Sequence, residues 1–264
     1  MNNILEKIIS DKKDSIEKYK NSLSIEDLKK NISKYEDYLN FKNKLKKNKV
    51  TVIAEIKKAS PSAGIIVENY DPRLIAKQYF NSGADCLSVL TEENYFKGKL
   101  EDIFEIKKEV KLPILCKDFM IDSYQVYLAK SFGADAILII LSAIDDKTAN
   151  EIYNVAQELS MSAIVEVHTN EEAKRAINFK NSIIGINNRN LKTLKTDIQT
   201  TYELYKILSN HPEPLICESG IKSEKEVREI VKKTKINNFL IGESLLKDLD
   251  KKPSLLEKIL QIKA

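Results

Sequence analysis

The chain has 264 residues, 42% hydrophobic and 31% charged, with 43 basic and 39 acidic side chains and a formal net charge of +4. That suits one large domain with a sizeable core and excludes collagenous and disordered chains. No apolar stretch reaches membrane-spanning length, and no basic block carries the interleaved aromatics of a nucleic-acid surface. Neither a membrane nor a nucleic acid is expected as a partner. The cysteines Cys86, Cys116 and Cys217 lie in or beside apolar runs at no regular spacing, which reads as buried thiols in a reducing compartment. Met1 to Lys20 lacks the apolar core of a signal peptide, so a cytoplasmic location is expected.

In chain order, residues 1–48 read as an N-terminal helical extension. Asn2–Lys20 forms one helix, with Ile4, Leu5, Ile8 and Ile9 on one face. Ser24–Lys34 forms a second, opened by Ser24 with Asp27 three residues on. The most basic stretch, Lys44 to Lys49, reads as a solvated linker. From Val50 onward, eight short apolar runs alternate with amphipathic segments: Thr51–Ile56, Cys86–Leu90, Pro113–Cys116, Ala136–Ile140, Ala163–Val167, Ile183–Ile186, Leu215–Cys217 and Asn238–Ile241. Each is apolar on both faces, as a buried parallel strand should be. The intervening Pro72–Ser82, Leu100–Val110, Ser123–Phe132 and Asp145–Leu159 have helical period. Eight such units predict one α/β domain, a (β/α)8 TIM barrel, spanning residues 1–264. An internal echo, Ser82-Gly83-Ala84-Asp85 and Phe132-Gly133-Ala134-Asp135, leads into the second and fourth strands, with glycine as a left-handed helix cap. Since all eight runs follow Val50, the extension is expected to shape the mouth rather than the core. Removing residues 1–45 is then expected to leave a barrel with a raised KM.

In a parallel barrel every strand ends on the same face. The first strand carries Glu55 and leads to Lys57; the third leads to Lys117-Asp118; the fifth carries Glu166; the sixth leads to Asn187 and Arg189. The seventh leads to Glu218-Ser219-Gly220 and the eighth to Gly242-Glu243-Ser244. One strand-end charge is ordinarily a solvated loop residue, but this many converge on a single pocket. Small Gly185, facing the same way as Asn187, is expected to leave room beneath a ligand. Ser219, Gly220, Gly242, Glu243 and Ser244 occupy the loops that usually bind phosphate in such barrels, with the side chain of Glu243 expected to turn away from the anion. His168 and His211 are far apart, with no carboxylate at ligand spacing on one helix, so no metal is expected.

At these residues the chain resembles the indole-3-glycerol-phosphate synthase family over nearly its full length. The resemblance rests on Ile53-Ala54-Glu55-Ile56-Lys57-Lys58-Ala59-Ser60-Pro61-Ser62, Leu90-Thr91-Glu92-Glu93-Asn94-Tyr95-Phe96 and Ile114-Leu115-Cys116-Lys117-Asp118-Phe119. It continues through Val165-Glu166-Val167, Ile184-Gly185-Ile186-Asn187-Asn188-Arg189-Asn190-Leu191, Glu218-Ser219-Gly220-Ile221 and Leu240-Ile241-Gly242-Glu243-Ser244-Leu245. Ala63 and Asn190 depart from it, where the family often has a basic residue and an aspartate. The resemblance implies a decarboxylating, dehydrating ring closure of 1-(2-carboxyphenylamino)-1-deoxyribulose 5-phosphate to indole-3-glycerol phosphate, without metal or organic cofactor. It implies a small phosphorylated substrate as the partner, and a monomer is expected. By resemblance Lys117 is the acid on the ketone oxygen, its pKa expected to be lowered by neighbouring cations. Glu166 and Lys57 are candidates for the dehydration, in either division of labour. Glu55 orients the lysines, Asn187 and Glu218 hold hydroxyls, and Arg189 closes the mouth. Ser60 belongs to the binding loop, and Phe96, Phe119 and Leu191 form an apolar wall. Two other readings stay open: a Schiff-base aldolase using Lys57 or Lys117, and a catalytically dead barrel serving as a binding scaffold.

Overall fold

The computed structural model describes residues 4–45 and 48–263. Asn2 and Asn3 of the first expected helix, and Lys46 and Lys47 of the basic stretch, lie outside the described residues. Eight parallel strands close into a barrel, each paired to its neighbour in chain order and the last paired to the first. They are β1 (Thr51–Ile56), β2 (Cys86–Leu90), β3 (Ile114–Lys117), β4 (Ala136–Ile140), β5 (Ser162–Val167), β6 (Ile183–Asn187), β7 (Leu215–Glu218) and β8 (Asn238–Ile241). Every expected run is a strand. In β3, β6 and β7 the ladder extends one residue further than expected, taking in Lys117, Asn187 and Glu218. Those three polar residues are therefore held by strand backbone rather than by a loop. No helix among the described residues is long and apolar enough to cross a membrane.

Helices α1 (Ile4–Ser22), α2 (Ile25–Ser33) and α3 (Phe41–Leu45) precede the barrel. Around it run α4 (Pro72–Asn81), α5 (Glu101–Lys107), α6 (Tyr124–Ser131), α7 (Asp146–Glu158), α8 (Asn170–Ala176), α9 (Gln199–Leu208), α10 (Glu224–Thr234), α11 (Glu243–Leu246) and α12 (Leu255–Leu260). Their starts are chemically marked. Asp71 accepts from the Arg73 amide ahead of Pro72, and Asp145 accepts from the Thr148 amide. The loop after β1 contains a small antiparallel hairpin, Ala59–Ser60 with Gly64–Ile65. Strands of two residues leave no alternating pattern to read, so sequence gave no sign of it.

The repeated Gly-Ala-Asp is structural on both counts. Gly83 and Gly133 have φ of 90° and 95°, which turns each helix end back toward the sheet. The aspartates then reach amides at the start of neighbouring strands: Asp85 accepts from Val52 at 3.2 Å, and Asp135 accepts from Ile114 at 2.8 Å.

The N-terminal extension touches both ends of the barrel. Leu5 and Ile8 of α1 belong to the interior cluster on the side of Phe119, at the C-terminal ends of the strands. Phe41 and Leu45 of α3 belong to the same cluster from the opposite end. There the Lys42 amide donates to Ser162 Oγ at the start of β5, and the Leu39 amide donates to Asp135. Phe41 is wholly buried. This corrects the expectation that the extension serves only the mouth: its last helix is a floor plug, and removing residues 1–45 takes core side chains with it.

Candidate active site

Strand alternation decides which side chains meet inside the barrel. The interior cluster contains Ile53, Leu115, Ile164, Ile183, Ile216 and Leu240. Two residues further along each strand, on the same inward face, stand Glu55, Lys117, Glu166, Gly185, Glu218 and Gly242. The apolar layer thus fills the barrel's middle and hands over to a polar layer at the C-terminal ends. Above that layer lies a cavity of about 600 Å³. All sixteen residues singled out from the sequence line it: the charged strand ends, Ser60, Phe96, Phe119, Arg189 and Leu191, and the glycine and serine loops after β7 and β8.

Lys117 sits at the centre. Its Nζ lies 2.5 Å from Glu218 Oε2 and 3.2 Å from Glu166 Oε2. Burial alone would lower its pKa, but Glu218, Glu166 and Glu55 outweigh burial and raise it far above that of an ordinary lysine. The expectation of a lysine lowered by cations is therefore corrected: the neighbours are carboxylates, and Lys117 is held as an ammonium. Glu166 resists burial too, kept ionised by Lys117, His168 and Asn187. Glu218 moves the other way; burial and the like charge of Glu166 push its pKa upward against the pull of Lys117. The two carboxylates are thus driven apart, the arrangement that lets one accept a proton while the other carries one. A second pair, Lys57 with Glu55 at 2.5 Å, stands on the β1 side.

Two glycines make this packing possible. A Cβ at Gly185 would lie 2.1 Å from Glu218 Oε1, and one at Gly242 would lie 2.2 Å from Glu55 Oε1. The space over Gly185 is therefore filled by a carboxylate, not kept for ligand as the sequence suggested. Replacing Gly185 with alanine should push Glu218 off Lys117, with turnover falling at least about tenfold while far-ultraviolet circular dichroism is retained; the strain is roughly 1–3 kcal/mol. Unchanged turnover in that variant would show that the Glu218 position is not needed.

The mouth is bounded by the hairpin loop and by the loop after β6. Arg189 Nη1 donates to Ser62 Oγ at 2.7 Å and joins the two. Phe96 and Phe119 meet with ring centroids 6.2 Å apart and make one wall. Glu243, first residue of α11, reaches Lys247 one turn on at 2.5 Å. Asn190 Oδ1 accepts from the Lys192 and Thr193 amides, a turn that an aspartate would form equally well. Ala63 stands exposed at the hairpin tip, its amide on Ser60 Oγ at 3.2 Å.

Sequence reasoning missed His168. It is two residues beyond Glu166 on the same face, its Nε2 lies 3.3 Å from Glu166 Oε1 and its Nδ1 3.2 Å from Glu172 Oε2. The period-two spacing from Glu166 was the available signal; looking only for helical metal-ligand spacing hid it. The inward Leu138 and Ile140 of β4 and the rim residues Lys222 and Lys247 also line the cavity.

A closed parallel barrel whose strand ends gather paired lysines and carboxylates around an aromatic-walled cavity defines a barrel enzyme built for proton transfer. The sequence model of the indole-3-glycerol phosphate synthase family matches residues 5–257. Indole-3-glycerol phosphate synthase of Prochlorococcus marinus (strain MIT 9515) is 42% identical over 255 residues, covering 94% of this chain and 86% of its own. That of Clostridium acetobutylicum is 42% identical over 248 residues, covering 94% of each. Among solved structures, the tryptophan synthase alpha subunit of Legionella pneumophila str. Paris aligns with a TM-score of 0.59 over 89% of this chain and 97% of that one. At 16% identity that likeness concerns the fold alone. The chain belongs to the indole-3-glycerol phosphate synthase family.

Proposed function

We propose that the cavity residues carry out the reaction for which the family is named, with Lys117 as the acid of ring closure. The substrate is 1-(2-carboxyphenylamino)-1-deoxyribulose 5-phosphate, and the products are indole-3-glycerol phosphate, carbon dioxide and water. One observation carries this reading: a buried ammonium, kept charged by three carboxylates, beside an aromatic wall. The ring carbon bearing the carboxylate attacks the ketone carbon. As the ketone oxygen gathers negative charge it takes a proton from Lys117, whose high pKa is overcome by the greater basicity of an alkoxide. Carbon dioxide departs and leaves its bonding pair to the ring. Water is then lost from the new ring: Lys57 gives a proton to the departing hydroxyl and ionised Glu166 removes the ring proton. Asn187 and Glu218 hold the sugar hydroxyls, Glu55 orients Lys57, and Arg189 with Ser60 holds the mouth loop over Phe96, Phe119 and Leu191. No metal or organic cofactor enters these steps. All the residues come from one chain, so a monomer suffices, and a cytoplasmic enzyme fits the three buried thiols.

The phosphate would sit on the backbone amides of Ser219, Gly220, Gly242, Glu243 and Ser244. Because Lys247 holds the Glu243 carboxylate, its charge is offset at that position. A substrate analogue lacking phosphate should bind at least roughly a hundredfold more weakly, since charge-assisted hydrogen bonds are worth about 1.5–3 kcal/mol each. Crystals soaked in phosphate should show the anion on those five residues. Equal affinity for the two forms would remove the site. A Schiff-base route through Lys117 is opposed by the same carboxylates, because an amine nucleophile needs a lowered pKa. Borohydride should therefore trap no adduct.

A further inference from the structure

A buried titratable group in contact with Glu166 is left unused by the mechanism. His168 follows β5 with its side chain 8% exposed, and both ring nitrogens face carboxylates. On the outer side, Glu172 of α8 grips it twice: Glu172 Oε2 accepts from the His168 backbone amide at 2.7 Å and lies 3.2 Å from Nδ1. Glu172 is fixed in turn, because its own amide donates to Thr169 Oγ1, the cap of α8. On the inner side, Nε2 lies 3.3 Å from Glu166 Oε1, in ion-pair contact but off the hydrogen-bond axis. The two oxygens of Glu166 are thus divided, Oε1 to His168 and Oε2 to Lys117.

We propose that His168 is a positioning residue for Glu166: anchored from behind by Glu172, its ring fixes one carboxylate oxygen and keeps the other turned toward Lys117 and the substrate. The inference rests on the reading of Glu166 as the base of the dehydration. A ring anchored at Nδ1 and set in ion-pair contact at Nε2 is pre-organised, and a carboxylate oriented by such a partner loses little entropy on reaction. Charge supports the geometry. The groups facing the ring are Glu166 from β5 and Glu172 from α8, with Lys117 of β3 behind Glu166. Burial opposes the imidazolium, yet the two carboxylates outweigh it and push its pKa up to about 9. The ring is therefore a cation at neutral pH, and it favours the ionised form of Glu166.

The test compares His168→Ala, His168→Gln, Glu172→Gln and Glu166→Gln in the full chain, by the pH profile of kcat, by KM and by melting temperature. His168→Ala should lower kcat by roughly 10- to 100-fold with KM within about threefold, as loss of an orienting partner does. The acid limb of its kcat profile should move to higher pH, because Glu166 loses a cation that kept it ionised. His168→Gln offers an amide N–H toward Glu166 and should recover part of kcat, while E172Q should shift the limb the same way by less. If E166Q is inactive and His168→Ala keeps both kcat and acid limb, the inference fails and the role of Glu166 stands. Loss of kcat with an unmoved acid limb and a lowered melting temperature also overturns it, since that is a structural role alone. A fully active E166Q removes the reading of Glu166 itself. Should His168→Ala not fold, H168Q and E172Q decide by the same limb.

Discussion

Replacing Lys117 with methionine should lower kcat by roughly 10²- to 10⁴-fold, the share of the rate a positioned acid supplies, while substrate binding stays measurable. Methionine keeps the length and loses the charge. The variant also strands Glu166 and Glu218 inside the barrel without their shared cation. Two buried carboxylates cannot both stay ionised there, so at least one should protonate, and stability should fall with it. Equilibrium binding of a non-reacting analogue, single-turnover kinetics and thermal melting separate these effects. A variant that binds and melts near normally but does not close the ring matches the role given to Lys117. Turnover within tenfold of the parent would remove Lys117 from the chemistry.

The largest effect on stability is expected at the barrel floor. Phe41 is fully buried, and truncating such a side chain to alanine costs about 3–5 kcal/mol. For a chain of this length that should lower the melting temperature by roughly 5–15 °C. Deleting α1 alone, through Ser22, should act differently. It removes Leu5 and Ile8 from the rim and the ion pair of Lys12 with Asp118 at 2.7 Å, next to Lys117. Barrel-like circular dichroism should remain and KM should rise. Deleting through Leu45 should instead abolish cooperative unfolding. If Phe41→Ala melts with the parent, Phe41 is no anchor of the barrel floor, and the plug reading fails.

The barrel was legible because its pattern is dense: eight apolar runs with alternating helical segments admit few other folds. The site was legible for the same reason, since the fold collects strand ends on one face whatever their sequence separation. Three things were hidden. The floor plug runs into the basic stretch read as a solvated linker, although its Leu45 is buried, and nothing local to Phe41 says which end of the barrel it fills. The state of Lys117 depends on Glu218 and Glu166, 101 and 49 residues away, and only the closed barrel brings them within reach. The role of Gly185 likewise depends on a carboxylate from the next strand. Sequence thus told which groups share the cavity but not which of them neutralise one another.

The floor plug also has a consequence in time. Phe41 and Leu45 emerge early in synthesis, yet the cluster that buries them includes Ile183, Ile216 and Leu240. At roughly 5–20 residues per second, about 200 residues must follow, so these side chains wait some 10–40 s for their final partners. α3 is thus made early and buried late. During that interval the chain carries Leu5, Ile8, Phe41 and Leu45 without their final cover, the kind of surface that chaperones hold. A nascent chain stopped after β4 should then be captured by a holdase through residues 4–45, and the completed barrel should let go.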